Sequence, residues 1–211
     1  MAERIEEGLE RMNTEPGEPD LSADGWQQRY ENEQTGWDRG EPNPALLHWL
    51  ESGALTSGRV LVPGCGRGHE VVELARRDFE VTAIDFARTA TQILTQRLLG
   101  QGLVADVLRE SVLHFAAETP FDAIYEQTCL CALAPKHWPA YERRLHASLK
   151  PGGTLFALWM QSSTTGGPPF HCGLDAMKDL FAEDHWRWAE ERFSVDHPSG
   201  MTEIGSVLTK A

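Results

Sequence analysis

The chain has 211 residues, of which 41% are hydrophobic, and this suffices for one substantial core with an extension. Its 19 basic and 32 acidic residues give a formal net charge of -13, which repels a phosphate backbone and argues against nucleic acid as a partner. No stretch approaches the roughly 20 apolar residues that cross a bilayer, and the acidic start lacks the layout of a signal peptide. We therefore expect a cytoplasmic monomer that binds no membrane.

The cysteines are too few and too scattered for a disulfide framework in a chain of this size. Cys129 and Cys131 lie two residues apart, but no second pair of ligands follows to complete a zinc site. We expect free, mostly buried thiols and no metal.

Three regions differ in composition. Residues 1–22 are acidic and poor in large apolar side chains, which predicts a flexible tail. Residues 23–42 place Trp26, Tyr30 and Trp37 in polar sequence, which suggests a helix and turn lying over the main body. The remainder completes a single domain over residues 23–211.

Strands and helices alternate through that domain. An Asn43 cap before Pro44 starts the first helix of the main body. Later helices are predicted at 69–77, 87–99, 136–149 and 174–182, and strands at 59–62, 80–84, 103–108, 121–125, 154–160, 186–195 and 202–209. This order predicts an α/β fold: a doubly wound, Rossmann-like, seven-stranded and mostly parallel sheet with an antiparallel C-terminal hairpin strand.

The first strand runs into three glycines at alternate positions, Gly64, Gly66 and Gly68, and a helix follows. Glycines let backbone amides approach a ligand, and the helix N-terminus adds partial positive charge. At the end of the next strand, Asp85 is placed to accept hydrogen bonds from ribose hydroxyls. The pattern predicts an adenosine-containing ligand. It leaves nicotinamide dehydrogenases open, although their loop has the spacing Gly-x-Gly-x-x-Gly.

Two further residues lie where the ligand crevice is expected. Phe86 follows the acid and is placed either to pack on an adenine face or to join the core. Glu126 ends the fourth predicted strand at the carboxyl edge of the sheet, where it is placed to bind the amino group of a methionine moiety; a solvated loop acid is the alternative.

Four motifs give the chain a family resemblance from about residue 26 to its end. They are TGWDRG at 35–40 followed by Asn43-Pro44, LVPGCGRGHE at 61–70, AIYEQT at 123–128 and GGPPF at 166–170. With these motifs in this order, the chain resembles the thiopurine S-methyltransferase superfamily, and most of all its thiol and halide methyltransferase branch.

The resemblance implies a cofactor, S-adenosyl-L-methionine, which leaves as S-adenosyl-L-homocysteine. It implies that the following residues bind this cofactor: Trp26, Trp37, Gly64, Gly66, Asp85 and Glu126. Tyr30 stands where plant members can have another tryptophan, and Val112 is expected near the adenine. Ser111 replaces an aspartate that often accepts the adenine amino group, a task that Asp106 takes over if the register differs by five residues.

The resemblance also predicts the acceptor side of the site. Pro169 and Phe170 belong to a lid over the pocket, unless residues 167–170 are only a rigid surface loop. Gln127 replaces an arginine that mammalian thiopurine enzymes direct at substrate, which argues against thiopurines as natural substrates but leaves thiopurine-type S-methylation open.

The implied reaction is in-line methyl transfer to a small soft nucleophile such as a thiol, thiocyanate, hydrosulfide or a halide. An ionised acceptor needs no catalytic base, whereas a neutral thiol needs a proton acceptor, for which His171 beside the lid is the candidate. The alternatives are an O-, N- or metalloid methyltransferase and a non-catalytic module that binds S-adenosylmethionine or a dinucleotide.

Overall fold

A computed structural model of the chain describes residues 19–56 and 58–211. The predicted tail therefore lies outside the described residues, except for its last four positions. One α-helix and a turn, followed by a second helix, precede the sheet: α1 (Ala23–Glu31) and α2 (Pro44–Glu51). As predicted, the Asn43 side chain caps α2, accepting from the amide of Ala45 at 2.8 Å.

Strands and helices then alternate along the chain. The strands are β1 (Arg59–Pro63), β2 (Glu80–Ile84), β3 (Asp106–Leu108), β4 (Phe121–Gln127), β5 (Leu149–Gln161), β6 (Trp186–Asp196) and β7 (Thr202–Lys210). The helices are α3 (His69–Arg76), α4 (Arg88–Gln101), α5 (Trp138–Ser148) and α6 (Leu174–Leu180), and two short 3₁₀ turns, Leu130–Ala132 and Pro135–His137, lie between β4 and α5.

All seven strands form one sheet in the order β3-β2-β1-β4-β5-β7-β6. The strands β1 to β5 pair in parallel, and β7 runs antiparallel to both β5 and β6. Apolar clusters cover both faces, one with α2, α3 and α4 and the other with α5 and α6. The predicted doubly wound fold with one antiparallel C-terminal strand is confirmed.

Several predicted boundaries shift. The third strand is shorter than predicted because the amide of Leu103 bonds back to the carbonyl of Leu98, which makes this stretch part of the end of α4. The fifth strand begins early, at Leu149, and its pairing with β4 is irregular where the predicted glycine turn interrupts it. In the sixth helix the last turn ends at Leu180, two residues before the predicted end.

The sheet order reverses between β1 and β4, because successive strands add on opposite sides of β1. Parallel α/β sheets bind ligands outside the carboxyl ends of the strands at such a point. This edge carries the glycine loop, the residues after β2 and the turn after β4. Within the described part of the chain, no helix combines the length and apolar character that crossing a bilayer requires.

Candidate active site

The glycine loop after β1 is held in a conformation that side chains resist. Gly64, Gly66 and Gly68 have φ values of 61°, 53° and 70°, in the left-handed region that favours glycine. A Cβ atom on Gly64 would lie 2.8 Å from Sγ of Cys129, and one on Gly66 would lie 3.0 Å from the Tyr30 hydroxyl. The loop therefore needs glycine both for its backbone and for the close approach of its neighbours.

Asp85 joins the end of β2 to this loop. Its Oδ2 accepts from the amide of Gly66 at 3.0 Å, and its Oδ1 accepts from the amide of Ala87 at 2.8 Å. The residue is only 6% exposed. Burial raises the pKa of the Asp85 carboxyl to about 6, against the lowering effect of the two amide donors.

Three aromatic residues from the segment predicted to cover the site, residues 23–42, cluster beside the loop, and we call them the aromatic cover. The Trp37 ring meets Trp26 and Tyr30 edge to face, with centroid distances of 5.3 and 5.7 Å. Helix α1 is fixed to α4 through two hydrogen bonds between Gln27 and Thr89, at 2.6 and 3.0 Å. The cover thus brings the Tyr30 hydroxyl to Gly66.

Asp38, beside the cover, fastens this segment to the main body. It accepts hydrogen bonds from the amide of Gly40 at 2.8 Å and from His69 Nε2 at 2.9 Å, and Arg67 lies 3.1 Å away. Chiefly the hydrogen bond from His69 lowers the pKa of the Asp38 carboxyl to about 2. Asp38 is therefore an ionised anchor at neutral pH.

Glu126 lies on the other side of the loop and is only 1% exposed. Its Oε1 accepts from the amides of Cys129 at 3.2 Å and Leu130 at 2.7 Å, which fixes the turn after β4. Its buried Oε2 has no protein partner. Burial raises the pKa of this carboxyl to about 7, against those two amides. The solvated-loop alternative for Glu126 is wrong, because strand pairing carries β4 through Gln127 and buries the acid.

Of the residues predicted at the adenine side, Phe86 follows β2, Ser111 and Val112 follow β3, and Asp106 begins β3. Phe86 is half-buried, and the half-buried Val112 packs against the second apolar cluster. Ser111 Oγ accepts from the amide of Leu113 at 3.3 Å. Asp106 is exposed and pairs with Thr82, three positions before Asp85, so it lies away from the carboxyl edge.

The loop predicted as a lid is bonded to the turn after β4. The amide of Phe170 donates to the carbonyl of Cys131 at 2.7 Å, and the peptide bonds before Pro168 and Pro169 are cis. Nearby, Gln127 accepts from the Tyr125 hydroxyl at 2.9 Å. His171 is exposed, with its ring against Gly173. An exposed imidazole is poorly placed to take a proton in a pocket closed to water, so the structure does not support His171 as the base.

Comparison with known proteins identifies the family. The family model for thiopurine S-methyltransferase matches residues 21–208. The chain is 36% identical over 190 residues to a probable thiol methyltransferase 2 of Arabidopsis thaliana, covering 87% of this chain and 84% of that protein. It is 31% identical to thiocyanate methyltransferase 1 of the same plant, covering 74% of this chain and 70% of that one.

The chain belongs to the thiopurine S-methyltransferase family. It is an S-adenosylmethionine-dependent methyltransferase. The two alternatives that the glycine loop left open, a dehydrogenase and a non-catalytic binding module, are therefore wrong. Among solved structures, Burkholderia thailandensis 1,6-didemethyltoxoflavin-N1-methyltransferase with bound S-adenosylhomocysteine shares its fold, with a TM-score of 0.74 at 17% identity over 94% of this chain and 93% of that one.

The methyltransferase also holds a buried polar group that the sequence patterns missed. Glu203 on β7 is fully buried, and its Oε2 accepts from Asn43 Nδ2 at 3.2 Å. The backbone amide of Asn43 in turn donates to Oε1 of Glu70 at 3.0 Å. The sequence offered one signal: Glu203 is the single acid within β7.

All four cysteines of the methyltransferase are free and buried. Within residues 19–56 and 58–211, no three His, Cys, Asp or Glu side chains come together in a way that could hold a metal ion.

Proposed function

We propose that the enzyme methylates a small soft nucleophile, such as a thiol, thiocyanate, hydrosulfide or a halide. The observation that carries this proposal is the composition of the region beneath the lid loop, where the fully buried Met160 accepts from the amide of the buried Cys172 at 2.8 Å. Cys131, which accepts from Phe170, is buried as well. Such apolar and sulfur-rich surroundings suit a polarizable nucleophile. The names of the thiol and thiocyanate relatives support the same class.

The cofactor site fits S-adenosylmethionine. Each oxygen of Asp85 accepts one amide hydrogen bond and keeps a lone pair for a ribose hydroxyl. The unpartnered Oε2 of Glu126 suits the ammonium group of the methionine moiety. Gly64 and Gly66 let the loop amides approach, and Trp26, Tyr30 and Trp37 close the site.

At the adenine, we propose that Phe86 and Val112 contact the ring faces. Ser111 Oγ keeps one lone pair for the adenine amino group. We prefer Ser111 to Asp106, because Asp106 is exposed and distant from the carboxyl edge.

When bound, S-adenosylmethionine supplies an electrophilic methyl group on a cationic sulfur. The protein's part is to align the acceptor with that methyl and to exclude water. We assign the alignment to Gln127, Pro169 and Phe170, and the exclusion of water to the aromatic cover. An anionic acceptor and a cationic sulfonium lose charge as they react, so a dry pocket favours the reaction.

An acceptor panel tests this function. Initial rates are measured with a small thiol, thiocyanate, iodide, 6-mercaptopurine, a phenol, an amine and tellurite. We expect the thiol, thiocyanate and iodide to have the highest kcat/KM. A preference for the phenol, the amine or tellurite would move the enzyme to the O-, N- or metalloid class.

We also propose that the enzyme works as a monomer in the cytoplasm, without nucleic acid or membrane. Its net charge of -13 opposes binding to anionic polymers and lipid surfaces, and its four free cysteines suit a reducing compartment. Light scattering during gel filtration at low salt, with and without RNA, tests the monomer and the absence of a complex.

A further inference from the structure

Glu203 keeps one carboxylate oxygen without a partner in the protein interior. Its backbone pairs with Met160 one residue before β5 ends, which places it near the carboxyl edge of the sheet. Oε2 accepts from Asn43 Nδ2, whereas Oε1 is buried with no hydrogen-bond partner. A buried acceptor without a hydrogen bond destabilises the folded state. A proton donor that reached Oε1 would stabilise this arrangement.

The position of Glu203 connects it to the acceptor side of the site. Glu203 pairs with Met160 on the neighbouring strand β5, and the carbonyl of Met160 accepts from the amide of Cys172. Two residues before Cys172, the amide of Phe170 donates to the carbonyl of Cys131. Burial raises the pKa of the Cys131 and Cys172 thiols, and the negative charge of Glu203 adds to this effect. Glu203 thus lies at the base of the lid loop, where the acceptor is proposed to bind.

We propose that Glu203 Oε1 takes the proton of a neutral thiol acceptor. This inference rests on the proposed function and adds the residue that ionises the acceptor. The S–H bond breaks as an O–H bond forms on Glu203, and the sulfur's electron pair forms the new S–CH₃ bond. The bond from that methyl to the cofactor sulfur breaks, and its electron pair stays on that sulfur. The proton on Glu203 passes to solvent when the product leaves.

The electrostatic surroundings suit this role. Burial raises the pKa of the Glu203 carboxyl to about 8, opposed chiefly by the hydrogen bond from Asn43. With this pKa the carboxyl is mostly protonated at neutral pH and becomes available as a base as the pH rises toward about 8. A free thiol, with a pKa of about 8.5, is still largely neutral at that pH. The charged and titratable groups facing Glu203 come from the cover segment, α3, β4, the turn after β4 and the lid loop: Arg39, Glu70, Tyr125, Glu126, Cys131 and Cys172.

Glu126 is less suited to this step although it is also buried. Its Oε1 already accepts two backbone amides, and its Oε2 is the group proposed for the cofactor ammonium. His171 is exposed. Glu203 combines full burial with a free oxygen that has no other assigned partner.

The test compares a neutral thiol with thiocyanate, which arrives ionised. We expect Glu203→Gln to lower kcat/KM for the thiol about 10²-fold at about pH 8, where Glu203 is half ionised, while thiocyanate changes by less than about threefold. The matched control is Glu70→Gln, since Glu70 bonds the same Asn43; any effect there should be equal for both acceptors. Equal losses in Glu203→Gln, or an unchanged thiol rate, would overturn the proposal.

A second measurement does not depend on turnover. In the wild-type protein with S-adenosylhomocysteine, infrared spectra should show the band of a protonated carboxyl disappearing as the pH rises through about 8, and Glu203→Gln should lack this step. A wild-type spectrum without the step contradicts the inference. If Glu203→Gln does not fold, Glu203→Asp replaces it, with a smaller loss again confined to the thiol; equal losses overturn the proposal. A wild-type enzyme that methylates neither acceptor would instead refute the proposed function.

Discussion

Asp85 Oδ2 accepts a hydrogen bond from the amide of Gly66 at 3.0 Å, across 19 residues of sequence. This bond joins the two parts of the proposed cofactor site, the loop after β1 and the acid after β2. The bond fixes the loop and the acid relative to each other, and the members of the proposed site can be tested one at a time.

The ribose assignment predicts that Asp85→Ala weakens two ligands equally. S-adenosylhomocysteine and 5′-methylthioadenosine share the ribose, so both should bind about 10- to 100-fold more weakly, as expected when hydrogen bonds of about 1.5–3 kcal/mol to a charged group are lost. Calorimetry measures both affinities. Unchanged S-adenosylhomocysteine affinity would rule out the ribose role.

The Glu126 assignment predicts that only one of these two ligands binds more weakly. 5′-Methylthioadenosine lacks the amino-acid moiety, so Glu126→Gln should weaken only S-adenosylhomocysteine, by about tenfold or more, since a charge-assisted hydrogen bond is lost. The same calorimetric pair provides the measurement. If both ligands weaken alike, Glu126 acts instead through the turn that it holds at Cys129 and Leu130.

The aromatic cover predicts a loss of affinity when Trp37 is shortened. Trp37→Ala removes two edge contacts, each worth about 0.5–1.5 kcal/mol, and opens the loop to water. We expect S-adenosylhomocysteine to bind about tenfold more weakly by calorimetry. Gln28→Ala is the control, because Gln28 is exposed on α1, the helix that carries Trp26 and Tyr30, and its removal should leave the affinity unchanged. Equal affinities for the wild type and Trp37→Ala would mean that the cover does not contact the cofactor.

The raised pKa of Glu203 predicts how stability changes with pH. Its folded value of about 8 exceeds its ordinary value of 4.5, so the native state favours the protonated form. That contribution is fully present below about pH 4.5 and is lost as the pH rises through about 8, on the order of a few kcal/mol.

Glu203→Gln cannot ionise at this position and should escape the loss. When thermal unfolding of both proteins is measured between about pH 5 and 9, the Tm of the variant should rise relative to that of the wild type as the pH increases. Parallel Tm curves would mean that Glu203 is already ionised, or exposed, throughout this range. This measurement needs no substrate and stands apart from the catalytic proposal.

Local patterns in the sequence were sufficient to predict the fold. The alternation of strands and helices, the Asn43 cap and the glycine loop each depend on neighbouring residues, whose spacing is fixed by the geometry of the helix, strand or turn. The predicted ends of elements were wrong where a helix and a strand can both claim the same segment. Leu103 illustrates this, because its amide completes the end of α4 instead of extending β3.

The sequence by itself determined the family and the cofactor, and it also pointed to the glycine loop and the acids at the strand ends as the candidate site. Only the tertiary structure showed that Glu203 is buried beside Asn43, 160 residues away in the chain, and that His171 faces outward. The physical reason is that β7 inserts antiparallel between β5 and β6. Insertion brings a distant acid to the carboxyl end of β5 and next to Asn43, and no local spacing records a contact made by sheet order.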